Sequence, residues 1–501
     1  MSGATEQVQR PDHLPSGLDA RCEPAPEGEL RLRVAPDGFE RASRVLSDAG
    51  GRFVTLLLAD WPERSLVAVF ALRGDLVVLR ASLQAGAPLP LPALSAWCPG
   101  ARWAEQELLE RLEPATAAHR SGPSLTEPDA SVLHERVGGL DVFSLPFGPV
   151  RSGVFESIQF LIETGGEDVL ALQTRPFFKH RGLEARVVGL RPDRAVHVVE
   201  RIAGIAGVAY ACAFSQAVER ALGIDPPVRA ERWRAVHAEL ERIACHLDVI
   251  AKEAETTALY VGQARFQILK EQTMRLRATL TGSRFGRGVV VPGGVRFDGR
   301  CEPDDLLGAI DALDRDLRRD RRLFLSTASM TDRLVGAGHL ARELVEQYCA
   351  VGPLARGSGL STDARHERPY GDYRRLGLRV TTARDGDAMA RINVRFGELA
   401  ESLRILRQSI DRLRRHDGEL MASHWPDEPR QSGAALGWSE APQGELVVWV
   451  EVRAGLIHHV HVASPSLRNW ALFDHAFPKD VLTDFAFIEH SFGLTPAGAD
   501  R

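Results

Sequence analysis

The run ERWRAVHAELERIACHLDVI, residues 231–250, sets the character of the larger part of this chain. Trp233, Val236, Leu240, Ile243, Leu247 and Ile250 recur at spacings of three and four, the period of one buried stripe along an α-helix. Working outward, the sequence predicts long helices over roughly 195–222, 229–281, 304–327 and 388–415. Before them, Val150–Leu172 reads as β-rich. After them, Leu446–Val452 and Ile457–Val462 read as strands on either side of an Arg453–Gly455 turn.

The beginning of the chain has a different texture. Arg52–Leu58, Ser65–Leu72 and Leu76–Ala81 read as strands parted by turns at Trp61-Pro62-Glu63 and Gly74-Asp75. A helix over Trp103–Leu112 follows. The expected layout is α+β multidomain: a disordered lead-in over 1–28, a small α+β domain over 29–113 and a Pro- and Gly-containing linker over 114–139. A mainly helical domain with a β-containing start and C-terminal end would then fill 140–501.

The chain has 501 residues, 44% hydrophobic and 26% charged, which is the composition of a globular protein with more than one core. A net charge of −5 from 62 basic and 67 acidic residues, with no basic stripe, argues against a nucleic-acid partner. Cys22, Cys98, Cys212, Cys245, Cys301 and Cys349 are scattered, with no C-x-x-C, so neither a disulfide framework nor a metal cluster built by this chain is expected. No apolar leader is visible at the N-terminus, and Asp60, Arg64 and Arg73 interrupt the apolar runs too early for a membrane span. A cytoplasmic location is expected.

Several short motifs, in order, resemble one family. Gly148-Pro149 with Gly153 and Glu156 is similar to an early motif of membrane-bound hydrogenase large subunits, and His180-Arg181-Gly182-x-Glu184 to one they share with the D-type subunit of complex I. Glu200-Arg201-Ile202-Ala203-Gly204-Ile205-Ala206-Gly207 resembles a hydrogenase motif in which cysteines stand at the two alanine positions. Pro292-Gly293-Gly294, Asp385-Gly386-Asp387 with Arg391, Gly444-Glu445-Leu446, Ser464-Pro465-Ser466 and the terminal Asp500-Arg501 continue the series. Trp97-Cys98-Pro99-Gly100-Ala101-x-Trp103-x-Glu105-x-Glu107 looks like the C-type subunit of complex I. The whole resembles the formate-hydrogenlyase-type layout, in which the C-type and D-type proteins are fused into one chain.

The resemblance implies an oxidoreductase subunit with much of its machinery altered. A nickel–iron centre in that family takes four thiolates, but Ala203 and Ala206 replace two, and 489–498 contains no cysteine. No metal or other cofactor bound by this chain is therefore expected. What remains is an electron-transferring subunit related to NADH–quinone oxidoreductase and energy-converting hydrogenase, an enzyme only as part of its complex. It would pass electrons from a partner's [4Fe-4S] cluster to a quinone or other small acceptor. The alternative is a non-catalytic structural or coupling subunit. The implied partners are an iron–sulfur small subunit and antiporter-like membrane subunits, which would hold this chain on the inner face of the membrane. No G-x-G-x-x-G follows a strand, so nicotinamide would be handled elsewhere.

For the residues themselves, the resemblance implies cavity roles for Glu156, Arg151 and Tyr210. It places Arg181 and His246 against the partner's cluster, with His180 and Arg201 beside them. Each has a plainer reading. Glu156 could simply pair with Arg151 or Arg201, Tyr210 could be a core tyrosine, and His246 could be a hydrogen-bonded histidine flanking the apolar stripe. His459 and His461 share a strand face but lack a third ligand, so an ordinary strand is expected. The Asp314–Arg322 run reads as a solvated helix face.

Overall fold

The computed structural model describes residues 11, 14–83, 93–112, 141–151, 156–296, 303–415, 417–423, 432–477 and 480–501. The expected linker over 114–139, Gly153 and Cys301 lie outside them. Helix accounts for 49% and strand for 20%, a mixed α+β architecture with several small sheets.

Strands β1 (Arg21–Glu23), β2 (Glu29–Val34), β3 (Arg52–Ala59), β4 (Ser65–Leu72) and β5 (Asp75–Ser82) form one sheet in the order β1-β2-β5-β4-β3. β2 and β5 run parallel, and the other pairs run antiparallel. Of the disordered lead-in expected over 1–28, residues 14–28 are described and are ordered. Leu14 and Leu18 are buried, and Arg21–Glu23 pairs with Arg31–Arg33, because β2 needs a partner on its open edge.

All eight residues of β4 are buried, since both faces of the sheet are covered. Leu66, Ala68, Phe70 and Leu72 pack under α1 (Phe39–Asp48) and α2 (Arg102–Leu112). Val67, Val69 and Ala71 pack against Tyr370, Trp438 and Trp449 of the larger part. The alternation of period two decides which residue faces which cover.

The larger part begins with the antiparallel sheet β6 (Phe143–Phe147), β7 (Gln159–Thr164) and β8 (Val169–Arg175). Next come α3 (Pro192–Val199), α4 (Gly207–Leu222), α5 (Val228–Thr256) and α6 (Tyr260–Thr281). A tiny hairpin, β9 (Val290–Val291) with β10 (Gly294–Val295), precedes α7 (Pro303–Leu325) and α8 (Ala388–Arg415). The meander β11 (Gly433–Ala441), β12 (Gly444–Arg453) and β13 (Leu456–Ala463) follows. The short helices α9 (Pro465–Trp470), α10 (Phe485–Phe492) and α11 (Pro496–Asp500) end the chain. Among the described residues no helix is long and apolar enough to cross a membrane.

Three helix expectations change. The stretch 195–222 is interrupted between Val199 and Gly207, where a Cβ on Gly207 would lie 2.8 Å from the Glu200 carbonyl. The stretch 229–281 breaks at Thr257–Leu259, where Ala258 adopts φ 58°. α5 was expected to bury one stripe, and it buries Trp233, Val236, Leu240, Ile243, Leu247 and Ile250 as expected. It also buries His237, Glu239, Glu241, Arg242 and His246, so it is a central helix enclosed all round. Gly437 of β11 lets α4 approach closely, because a Cβ there would lie 2.0 Å from the Ala213 carbonyl.

Candidate functional site

The interruption before α4 carries Ala203 and Ala206, both completely buried. Ala206 occupies the cap position of α4 but has no side chain to cap it. Glu241, reaching across from α5, accepts from the Val208 and Ala209 amides at 2.8 and 3.0 Å and completes the first turn. Burial raises the Glu241 pKa, while Arg277 and these two amides pull the other way. Glu200 holds the start of the loop, bonded to Arg201 at 2.7 Å and to the Gly288 amide at 2.8 Å.

The C-terminal tail folds back onto this loop. Arg181 donates to the carbonyls of Ile202 at 2.6 Å, Arg201 at 3.2 Å and Ala497 at 3.1 Å, so one guanidinium joins the alanine-bearing loop to the tail. Glu156 accepts from the Thr495 hydroxyl at 2.6 Å and the Ala497 amide at 3.1 Å. The Tyr210 hydroxyl donates to Ser464 at 3.1 Å, and Ser466 accepts from the Thr495 amide at 3.3 Å. A Cβ on Gly498 would sit 3.1 and 3.2 Å from the Ser464 and Ser466 hydroxyls. Apart from Arg181 and Glu156, the rim consists of small neutral groups closed by hydroxyls and carbonyls.

Just behind it, the terminal Asp500-Arg501 gathers motifs that are far apart in sequence. Asp500 accepts from the Phe177 and Lys179 amides at 2.8 and 3.0 Å, its carbonyl meets His180 Nδ1 at 2.8 Å, and burial raises its carboxyl pKa to about 6. Arg501 pairs with Glu107 of α2 and, at 3.1 Å, with Glu184. Glu107, Glu184 and His461 place possible ligand atoms within 4.8 Å of one another, so the strand histidine does have acidic neighbours. Arg501 already supplies the positive charge there, and His461 Nε2 meets the Thr55 hydroxyl at 2.8 Å. An ordinary strand histidine accounts for these contacts.

The expected site residues divide. Glu156, Arg181, His180 and Tyr210 converge on the loop and tail. Among the described residues, the plainer alternative for Glu156, an ion pair with Arg151 or Arg201, is not formed: Arg151 pairs with Glu489 at 2.5 Å and Arg201 with Glu200. Arg151 is packed against Phe147, Phe160 and Phe485, where it clamps the strand end to α10. Tyr210 is the core tyrosine of the plainer reading: it is 1% exposed, and burial raises its pKa to about 12. His246 is a correction. It has no exposed surface, so it cannot face a partner directly. Its Nε2 meets Glu398 at 2.8 Å, its Nδ1 lies 3.2 Å from Arg395, and burial lowers its pKa to about 4. Arg181 and His180, by contrast, are exposed.

His246 belongs to a buried ion network between α5, α8 and β11. Arg356 binds Glu398 at 2.8 Å and Glu440 at 2.9 Å, and Arg365 binds Glu239 at 2.9 Å and Asp363 at 2.7 Å. Burial alone would raise Glu398, but Arg356, His246 and Arg242 overcome it and hold its pKa well below the usual range. Sequence reasoning missed this network, and it missed the roles of Ser464, Ser466, Thr495 and Glu241. Ser464, Ser466, Glu107, Glu184 and Arg501 stood inside quoted motifs, so motif order was the available signal.

The fold is thus a mainly helical body with a β-meander, in which Arg181 bridges the alanine-bearing loop and the C-terminal tail. Residues 254–432 match the family described as respiratory-chain NADH dehydrogenase, 49 Kd subunit. Formate hydrogenlyase subunit 5 of Escherichia coli is 31% identical over 71% of this chain, which spans 63% of that protein's length. The membrane-bound hydrogenase subunit alpha of Pyrococcus furiosus is 30% identical over 62% of this chain, with 76% of it covered. Among solved structures, the membrane-bound sulfane sulfur reductase, an archaeal respiratory membrane complex, superposes with a TM-score of 0.67 at 25% identity. That match covers 72% of this chain and 99% of the other. The chain belongs to the family of complex I 49 kDa (D-type) proteins and membrane-bound hydrogenase large subunits.

Proposed function

We propose that this protein is the large subunit of a membrane-anchored electron-transfer complex that works without a nickel–iron centre of its own. The carrying observation is the Arg181 bridge, which brings the loop of Ala203 and Ala206 and the C-terminal tail to one place. The groups gathered there do not fit nickel and iron: the alanines offer methyl groups that cannot bind metal, and the donors beside them are hydroxyls and one carboxylate rather than thiolates. Cys212 lies on α4 nearby, but burial raises its thiol pKa to about 12, which disfavours a metal-binding thiolate.

In this reading, exposed Arg181 and His180 face an iron–sulfur small subunit, and Arg201 lies on the same side. Electrons leave the partner's cluster for a quinone or other small acceptor next to the loop. Glu156, bonded to Thr495 and Ala497, is the proton-handling group on this chain, and Tyr210 stays protonated and holds Ser464. Residues 29–113 are read as a unit like the C-type protein of complex I, fused ahead of a D-type body over 140–501. Antiporter-like membrane subunits would hold the assembly on the inner face of the membrane.

The test is a complex purified through this chain and assayed with a quinone analogue as acceptor. Glu156→Gln and Thr495→Val should lower its reduction while leaving the complex assembled. An assembled complex that neither binds nor reduces the analogue would overturn the acceptor role. The complete burial of Ala203 and Ala206 favours a second reading, a structural or coupling subunit whose old site is closed, and that result would select it.

A further inference from the structure

The sequence scatters the cysteines, but the fold brings two of them together. Cys98 precedes the Pro99–Ala101 turn of the N-terminal sheet unit, and Cys349 follows the Arg342–Gln347 helix of the larger part. Their sulfurs lie 3.7 Å apart although 251 positions separate them in the chain. Both side chains are buried, with 4% and 8% exposure, and both are free thiols. We propose that Cys98 and Cys349 are a reversible disulfide site, oxidised by peroxide, that locks the N-terminal sheet unit onto the helical body.

Three features around the pair support this chemistry. The first is proximity: closing 3.7 Å to the roughly 2.05 Å of a disulfide is within reach of rotation about the side-chain bonds. The second is asymmetric activation. The Cys98 hydrogen bond lowers the Cys349 pKa, burial opposes it, and the Arg52 and Arg468 guanidiniums add to the lowering. Cys98 shares that hydrogen bond, in which either sulfur can donate, and the bond together with burial raises its pKa. The Arg52 and Arg468 guanidiniums act on Cys349 and not on Cys98, so we assign Cys349 as the nucleophile and Cys98 as the resolving thiol.

The third is access. A cavity of about 290 Å³ runs along the seam, lined by Phe53, Pro99, Gly100, Tyr348 and Arg468; neither sulfur lines it, but Pro99 and Tyr348 directly adjoin Cys98 and Cys349 in the chain. The backbones on its two sides are already in close contact there, since a Cβ on Gly100 would lie 2.4 Å from the Tyr348 carbonyl. A molecule the size of hydrogen peroxide fits such a space.

The reaction balances in two steps. The Cys349 thiolate attacks one peroxide oxygen, the O–O bond breaks, and the released hydroxide takes a proton to become water, leaving a sulfenic acid. The Cys98 sulfur then attacks the Cys349 sulfur, the S–O bond breaks, and the departing hydroxide leaves as water with the Cys98 proton. Two thiols are oxidised, one peroxide is reduced, and two waters form.

The test treats the full-length native protein with hydrogen peroxide, alkylates the remaining thiols after unfolding, and digests without reductant. The expected result is one cross-linked peptide pair containing Cys98 and Cys349, lost again after dithiothreitol. Both cysteines fully alkylated, or either one joined to Cys22, Cys212, Cys245 or Cys301, would overturn the proposal. The variants assign the order: Cys98→Ser should leave Cys349 as a dimedone-reactive sulfenic acid, and Cys349→Ser should leave Cys98 a free thiol. The reverse pattern would overturn the assignment of nucleophile and resolving thiol.

Discussion

The loop-and-tail rim and the buried ion network between α5, α8 and β11 are held together in opposite ways. The rim consists of Ala203, Ala206, Ser464, Ser466 and Thr495, linked by hydroxyl and backbone hydrogen bonds, with Arg181 and Glu156 as its charged members. The network consists of Arg242, Arg356, Arg365, Glu239, Glu398 and Glu440, each with 3% exposure or less. The rim tolerates change at its small positions, because Ala203, Ala206, Ser464 and Ser466 carry no charge that a neighbouring substitution could leave uncompensated. A buried ion network does not, because removing one member leaves the opposite charge buried without its counter-ion. This difference separates a loop and tail built largely of small residues from a core whose arginines and carboxylates hold one another.

The largest effect should come from breaking the network at its centre. Arg356→Met removes the partner of Glu398 and Glu440 and should cost about 3–5 kcal/mol, read as a lowered denaturation midpoint. If that variant were as stable as the parent, the contrast between the two regions would fail.

A second effect depends on pH. The folded-state pKa of His246, lowered to about 4, lies below the ordinary 6.5. Between these values the unfolded chain binds the extra proton, so this group lowers stability as pH falls from 6.5 toward 4. His246→Gln should remove a pH dependence on the order of 3 kcal/mol over that window, measured by chemical denaturation at a series of pH values.

The rim should respond less. Gly498→Ala places a methyl group 3.1–3.2 Å from two hydroxyls that can turn aside, and about 1 kcal/mol of destabilisation is expected by the same measurement. Arg181→Gln should change stability least, by less than about 1 kcal/mol, since its guanidinium is exposed and bonds only to backbone carbonyls. A loss for Arg181→Gln as large as that for Arg356→Met would show the rim to be under the same electrostatic constraint as the network.

The strands were the most legible part of the sequence. Ser65–Leu72 is reproduced to the residue, and the Leu446–Val452 and Ile457–Val462 expectations fall inside β12 and β13. Apolar runs bounded by Gly and Pro turns carry that information locally. The breaks at Val199–Gly207 and Thr257–Leu259 were not legible, because both lie inside good helical periodicity and are imposed by tertiary contacts. His246 was misplaced for a related reason. Its motif neighbours suggested an outward role, while Glu398 and Arg395, about 150 residues away, draw it inward. The convergence of Glu107, Glu184 and Arg501 was visible only as motif order, since their charges meet through the fold and not through any local pattern.

The most direct test of the central claim is the nickel content of the complex, purified from its native cells through a tag on this chain and measured by elemental analysis. The account predicts nickel far below one atom per chain, with acceptor reduction or assembly intact. One tightly held nickel per chain would contradict it, because thiolate ligands would then have to reach a site where this chain offers alanine.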